Sequence, residues 1–364
     1  MARRIPRLLI VLLALMLIAA AVIYFFVLPK ESEFQRFTCR ASDIFDTEIS
    51  LTGFAKSEEE FTRVSQEAMT RLSDYNAVFD GYNAYGDLHN LWYINRYAKD
   101  GPVEVPDTLF SLLAWCKEQW EAGNRTVNIA MGAVLSIWHD YRTAGLANPE
   151  TASLPPMEQL QEAAKHTHFE DVILDPAKHT VFYSDPLLQI DLGAVAKGYA
   201  ADLARDYLKE AMPSFLLSLG GNVYAGAAPK DGRSAWAVAV QDPRASVESL
   251  LSGGSDRLDI LDIASLTAVT SGDYWRYYTV DGKRYHHIID PDTLMPSTQM
   301  LSVTVVCESS LMGDYLSTTL FILPYEEGLK LVSGMPGVEV LWVLPDGDIQ
   351  MTPGMAAYAR SQQQ

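Results

Sequence analysis

The chain has 364 residues, 48% of them apolar and 20% charged, with a formal net charge of −18. That length permits a sizeable core and that composition excludes a disordered chain, while the acidic balance excludes nucleic acid as a partner and suits a divalent cation. Three cysteines, Cys39, Cys116 and Cys307, are too few and too scattered for a disulfide framework or a thiolate metal site.

Arg3, Arg4 and Arg7 precede an unbroken apolar run from Leu8 to Leu28, 21 residues long. As a helix it would span about 30 Å, the thickness of a bilayer core, and the arginines would keep its start in the cytoplasm. Residues 1–28 are therefore expected to be a transmembrane anchor, placing the protein in the cell membrane with everything after it extracytoplasmic. A cleaved signal is the alternative, although no small-x-small site follows. Residues 29–42 read as a linker and 43–360 as one domain.

Phe45 to Leu51 is expected as a strand. Ser57 opens a helix with a capping box to Glu60, and Phe61, Val64, Ala68 and Leu72 form its apolar face. Tyr75 to Asp87 reads as a functional or interfacial loop, Asn90 to Tyr97 as a short helix. Pro106 leads into a helix that Gly123 stops. Val127 to Trp138 is a buried apolar run, and a helix follows Pro156. Two short strands, Val172 to Leu174 and Thr180 to Tyr183, precede the central stretch.

That stretch is Ile190 to Gly221, with Asp191, a small-residue turn through Gly193, Ala194, Lys197 and Gly198, a helix to about Met212, a strand over Phe215 to Leu219 and then Gly220-Gly221-Asn222. Backbone can approach a ligand closely at both ends of the helix, which fits a phosphate site. An ordinary strand-to-helix turn reads the same way. Further strands are expected over Trp236 to Val240, Leu258 to Ile263 and Ala268 to Thr270, with a turn at Ser271-Gly272-Asp273. A hairpin turns on Asp281-Gly282, Leu301 to Val306 is a strand, and Ser309 to Leu323 is a helix. The sum is an α+β (mixed α/β) sandwich with mixed sheets and packed helices.

Two further groups could carry chemistry. Strand alternation puts His287 with Ile289 on one face and His286 with Ile288 on the other, so one histidine can face a cleft near Asp290 while the other packs. Asp314 and Thr318 lie four apart on one helix face and could give two oxygens to Mg²⁺, or simply serve their own helix. No GxSxG, P-loop, CxxC or HExxH pattern occurs, which lowers serine hydrolase, NTPase, thiol redox and zinc protease readings.

In series, FDTEIS from Phe45, TVNIAMGAVLSIW from Thr126, DLGAVAKGYAAD from Asp191, LSLGGNVYAG from Leu217, AVTSGDYWRYYTVDGKRYHHIIDPDT from Ala268 and GDYLSTTLFIL from Gly313 resemble the ApbE family, the FAD:protein FMN transferases. The resemblance implies a T-fold-like sandwich and Mg²⁺-dependent transfer of FMN from FAD to a threonine or serine hydroxyl, with AMP leaving. Two alternatives are an Mg²⁺-dependent FAD pyrophosphatase and a non-catalytic flavin-binding protein. By the same resemblance His287 and Asp314 are catalytic, and Asp314, Thr318 and the Ala194 carbonyl are metal ligands. Thr47, Asn128, Asp191, Lys197, Gly220, Gly221, Asn222, Ser271, Gly272 and Ile288 would contact FAD. The implied acceptor is a membrane-bound or secreted flavoprotein, such as an Rnf- or Nqr-like subunit or an FMN-binding domain. Leu294 and Tyr315 depart from the family's usual glycine and alanine.

Overall fold

The computed structural model describes residues 33–212, 214–245, 256–274 and 276–363, together with Met16. One sheet holds eight strands in the spatial order β1 (Gln35–Ile44), β2 (Thr47–Ala55), β6 (Phe215–Leu219), β7 (Asn222–Ala225), β10 (Leu266–Gly272), β13 (Ser302–Cys307), β14 (Glu339–Val343) and β15 (Ile349–Met351). Every neighbouring pair is antiparallel. The expectation of mixed sheets is thus corrected: among the described residues the parallel contact is an isolated bridge, Met131 to Gln189.

The sheet separates two apolar layers by the two-residue period of its strands. Val303, Val305, Cys307, Val340 and Trp342 point to one face and belong to the main core. Val306, Leu341 and Val343 point to the other. Three helices cover the first face: α1 (Glu58–Phe79), α6 (Ala196–Ala211) and α7 (Ser310–Ile322). The second face is covered by the hairpin of β8 (Trp236–Gln241) and β9 (Arg257–Ile263), with Met355 and Ala359 beside it. Each fully buried side chain of this size, Trp236 and Trp342 among them, contributes about 1.5–3 kcal/mol or more.

Beyond the helix layer lie α2 (Leu91–Tyr97), α3 (Asp107–Glu121) and a small sheet of β3 (Val103–Glu104), β5 (Thr180–Tyr183) and β4 (Val172–Asp175). A third apolar cluster joins α4 (Gly132–Ala147) and α5 (Met157–Ala164) to the hairpin of β11 (Tyr277–Val280) and β12 (Lys283–His286). Trp138 Nε1 donates to the Leu294 carbonyl at 2.9 Å and Tyr278 Oη to the Ser153 carbonyl at 3.0 Å, which ties α4 to the loop after the hairpin and the hairpin to the loop after α4. The last helix is α8 (Tyr325–Val332).

Local signals explain the element ends. Ser57 Oγ accepts from the Glu60 amide at 3.2 Å, while Glu60 reaches back to the Lys56 amide at 3.0 Å, so the reciprocal arm falls one residue early. Phe61, Val64, Ala68 and Leu72 are all buried. Helix α1 runs on through Tyr75 to Phe79, residues expected in a loop, because Val78 and Phe79 still reach the core; the loop starts at Asp80. Residues 35–42, expected as linker, belong to β1, paired along β2. Phe45 and Asp46 form the intervening turn, so the next strand starts at Thr47.

A transmembrane helix ahead of the fold is not supported. No helix among the described residues is long and apolar enough to cross a membrane. The longest, α1 at 22 residues, is amphipathic, with Glu58, Glu59 and Glu60 in its first turn. The expected span, Leu8–Leu28, lies outside the described residues except for Met16. The single-pass, cell-membrane placement is corrected to that extent: nothing among the described residues supports it.

Candidate active site

Thr47 opens β2, Gly220 and Gly221 form the β6–β7 turn, and Thr270 to Gly272 end β10, so neighbouring strands deliver all six to one end of the sheet. Gly220 has φ +61°, and a side chain there would meet Thr47 Oγ1 at 2.5 Å. The turn can press on Thr47 because the residue has no Cβ.

Facing this sheet end are the first turn of α6 and the middle of α7. Gly198 lets them meet: a Cβ there would strike the Ser310 carbonyl, with Leu311 Cα at 2.8 Å. Two carboxylates then lock the helices reciprocally. Asp202 of α6 accepts from the amides of Ser310 at 2.8 Å and Leu311 at 3.1 Å, capping α7. Asp314 of α7 accepts from the Gly198 amide at 2.6 Å near the start of α6, with Lys197 Nζ 3.6 Å away. Burial pushes the Asp314 carboxyl up, against the Lys197 charge and the Gly198 hydrogen bond that favour its ionised form.

The cleft between them has a volume of about 430 Å³. It is lined by Lys197, His287, Asp314 and Thr318, together with Thr47, Asp191, Ala194, Gly220, Gly221, Ser271, Gly272 and Ile288. A polar lobe of about 510 Å³ adjoins it across Tyr82, Asp191 and Lys197, and a smaller one of about 100 Å³ across Ala194, Ile288 and Thr318. Asn128 lies in the small lobe, where its side chain is engaged with the Thr167 carbonyl at 2.8 Å and the Ala130 amide at 2.9 Å. Asn222 is buried behind the cleft wall, its Nδ2 3.3 Å from the Ser310 carbonyl and its amide against Asp314. Ser271 Oγ shares a hydrogen bond with Ser317 Oγ at 2.9 Å, tying β10 to α7.

The two histidines part, but not by strand alternation: β12 ends at His286, and His287 and Ile288, expected on opposite faces, both line the cleft from the bend beyond it. His286 Nδ1 accepts from the Ile288 amide at 3.2 Å, so Nε2 carries the proton and donates to the Ser297 carbonyl at 2.8 Å. His287 lines the cleft, and its Nδ1 is buried without a hydrogen-bond partner. Burial first, then the charges of Arg276, His286, Arg142 and Lys197, keep its imidazole neutral well below the ordinary range. Asp191 Oδ1 accepts from the Gly193 amide at 2.8 Å, and burial raises its carboxyl.

Several cleft residues escaped sequence reading. Leu135, Trp138, His139 and Arg142 share one face of α4, at a spacing of three to four residues that continues past the apolar run. Tyr82 stacks on His139 with ring centroids 4.4 Å apart. Arg276 lies in the stretch AVTSGDYWRYY, where no local pattern assigns it to the cleft.

The expectation of a metal-binding protein is corrected in one respect. No group of three or more His, Cys, Asp or Glu side chains that could hold a metal ion occurs among the described residues. Asp314 is the one ionisable member of the expected ligand set, the Thr318 hydroxyl and Ala194 carbonyl being neutral.

Residues 45–342 match the family model described as ApbE family. The FAD:protein FMN transferase of Treponema pallidum is 32% identical over 84% of this chain and 82% of its own length. That of Klebsiella pneumoniae is 33% identical over 70% of this chain and 75% of its own length. Among solved structures, the ApbE protein of Thermotoga maritima superposes with a TM-score of 0.76 at 26% identity, covering 90% of this chain and all of that one. The flavin transferase ApbE of Vibrio cholerae, at 21% identity and a TM-score of 0.71, covers 91% and 99% respectively and shares the fold.

Proposed function

The chain belongs to the ApbE family, and from that premise we propose how its cleft carries out the family's reaction. The protein is an FAD:protein FMN transferase, moving FMN from FAD to a serine or threonine of a target protein. Since FAD is FMN joined to AMP through a pyrophosphate, AMP is the other product. The observation that carries the assignment of roles is the convergence of Lys197, His287, Asp314 and Thr318 on one cavity.

A hydroxyl is a poor nucleophile until a base takes its proton. His287 is the neutral base within the cleft, with a buried ring nitrogen that no described residue occupies. The cations that depress its basicity are those a pyrophosphate neutralises, so the arrival of FAD raises it. Lys197 places positive charge beside the phosphates, and the close turns at Gly193 and Gly220 admit them near backbone. Asp191, Ile288 and the small lobe with Asn128 bound the remainder of the dinucleotide.

Mg²⁺ fits the donor set as an ion that comes with the phosphates: one buried carboxylate, Asp314, with the Thr318 hydroxyl and the Ala194 carbonyl, all hard oxygens. Bound there, it would supply charge compensation to the pyrophosphate. The acceptor proposed is a flavoprotein segment carrying a threonine or serine, of the kind found in Rnf- or Nqr-like subunits and FMN-binding domains.

Incubating the protein with FAD, Mg²⁺ and such an acceptor domain is expected to give an acceptor heavier by one FMN, read by intact mass, with AMP in equal amount. His287→Gln is expected to slow adduct formation by roughly 10²- to 10⁴-fold with FAD affinity retained. FMN and AMP release without an adduct would replace the transferase by a pyrophosphatase.

A further inference from the structure

Two guanidiniums of the cleft enter the chemistry above only through their charge on His287, with no phosphate assigned to them. Arg142 stands on α4 and Arg276 directly before β11, and both line the 430 Å³ cavity with Lys197 and His287. Arg142 Nη2 lies 3.2 Å from His139 Nδ1, and Arg276 Nη2 donates to the Phe45 carbonyl at 2.9 Å. Arginine only donates, so His139 Nδ1 is the acceptor and that ring is neutral. A guanidinium has five N–H groups, and these single bonds leave most of them unspent among the described residues.

Neither arginine forms an ion pair with a carboxylate among the described residues. Arg205, also part-buried, shows the usual arrangement, with Asp202 at 2.5 Å and Asp206 at 2.9 Å. Lys197, the third cation of the cleft, is already beside Asp314. Asp191 and Asp46 line the same cleft and act on Arg142 from beyond ion-pair distance. In a chain with 46 acidic against 28 basic residues, two part-buried cations with no carboxylate in contact among the described residues are costly unless a ligand brings the anion. Their mutual repulsion points the same way: burial first, then the Arg276 charge, lowers the proton affinity of Arg142.

Resting on the FMN-transfer reading, we propose that Arg142 and Arg276 form an anion site for the phosphate of the adenylate half of FAD and stabilise it as AMP departs. In the transfer step the acceptor oxygen bonds to the FMN phosphorus and its proton passes to His287. The bond from that phosphorus to the bridging oxygen breaks, and the oxygen leaves on AMP with the electron pair. Charge therefore develops on the adenylate phosphate, where two planar forks are suited to receive it.

Calorimetric titration of the full chain with AMP and, separately, adenosine tests this without turnover. AMP is expected to bind more tightly than adenosine. Arg142→Met and Arg276→Met are each expected to weaken AMP roughly 10- to 100-fold while leaving adenosine unchanged, and Arg142→Lys to recover part of the loss. Unchanged AMP affinity in both methionine variants would overturn the assignment, as would AMP and adenosine weakening in parallel. A raised acceptor KM with AMP binding intact would also overturn it, by assigning the pair to an acceptor carboxylate. If the wild type forms no acceptor adduct, the transferase reading fails on its own, whatever the AMP–adenosine difference.

Discussion

His286 and His287 are chain neighbours with opposite surroundings. His286 spends both ring nitrogens on backbone, and its neutral form is the one that fits: burial lowers its pKa from 6.5 to about 4. Between those values the unfolded chain binds the proton more readily, so stability rises with pH across the interval. The contribution is complete above about pH 6.5 and is lost as pH falls through 4, about 3 kcal/mol in all. Glutamine can offer one acceptor and one donor without titrating. His286→Gln is therefore expected to flatten the rise of urea-unfolding stability between pH 4 and 6.5; an unaltered slope would place the acid sensitivity elsewhere. Leu294 and Tyr315 also resolve at this scale. Leu294 adopts φ +60°, a left-handed conformation costing about 1–2 kcal/mol, with its side chain buried in the third apolar cluster and its carbonyl held by Trp138. Tyr315 donates to the Asn124 carbonyl at 2.9 Å and meets Trp115 edge-on at 5.4 Å, so its bulk goes into packing against α3 and not into the cleft.

At the scale of elements, the decisive contact is α6 on α7. Gly198 permits the approach, and the Asp202 and Asp314 carboxylates each take amides near the start of the opposite helix. A methyl group at 198 has to push the α7 backbone away, carrying Asp314 and Thr318 with it. Gly198→Ala is expected to cost about 1–3 kcal/mol in denaturant unfolding and to lower FMN transfer out of proportion to that loss at temperatures where the variant stays folded. Full activity in a folded variant would show that the spacing of these helices does not position the cleft. The β11–β12 hairpin carries His287 in a similar way, because Trp138 and Tyr278 pin its cluster to α4 and the flanking loop.

For the whole molecule, the cleft sits where one sheet end, two locked helices and a hairpin meet, with no cluster of three or more His, Cys, Asp or Glu side chains able to hold a metal among the described residues. Thermal unfolding tests how Mg²⁺ enters. Mg²⁺ alone is expected to leave Tm unchanged, Mg²⁺ with FAD to raise it above FAD alone, and EDTA to abolish transfer; a shift with Mg²⁺ alone would reveal a resident site.

Much of this arrangement was legible in the chain because its causes are local. The capping at Ser57, the strand Phe215–Leu219 and the four-residue spacing of Asp314 and Thr318 depend on a few neighbouring residues. Arg142 and Arg276 were not legible, nor was the burial of Asn222 behind the cleft, because no local pattern states which distant element faces a side chain. Helix α1 outran its expected end, and β1 formed where a linker was expected, since core contacts and β2 pairing lie far away in sequence. The sequence by itself determined which elements form and which residue types could handle a phosphate and a proton. Tertiary structure alone decided that Lys197, His287, Asp314 and two arginines without a carboxylate in contact among the described residues share one cavity, because long-range packing sets which charges are buried together and left to a ligand to neutralise.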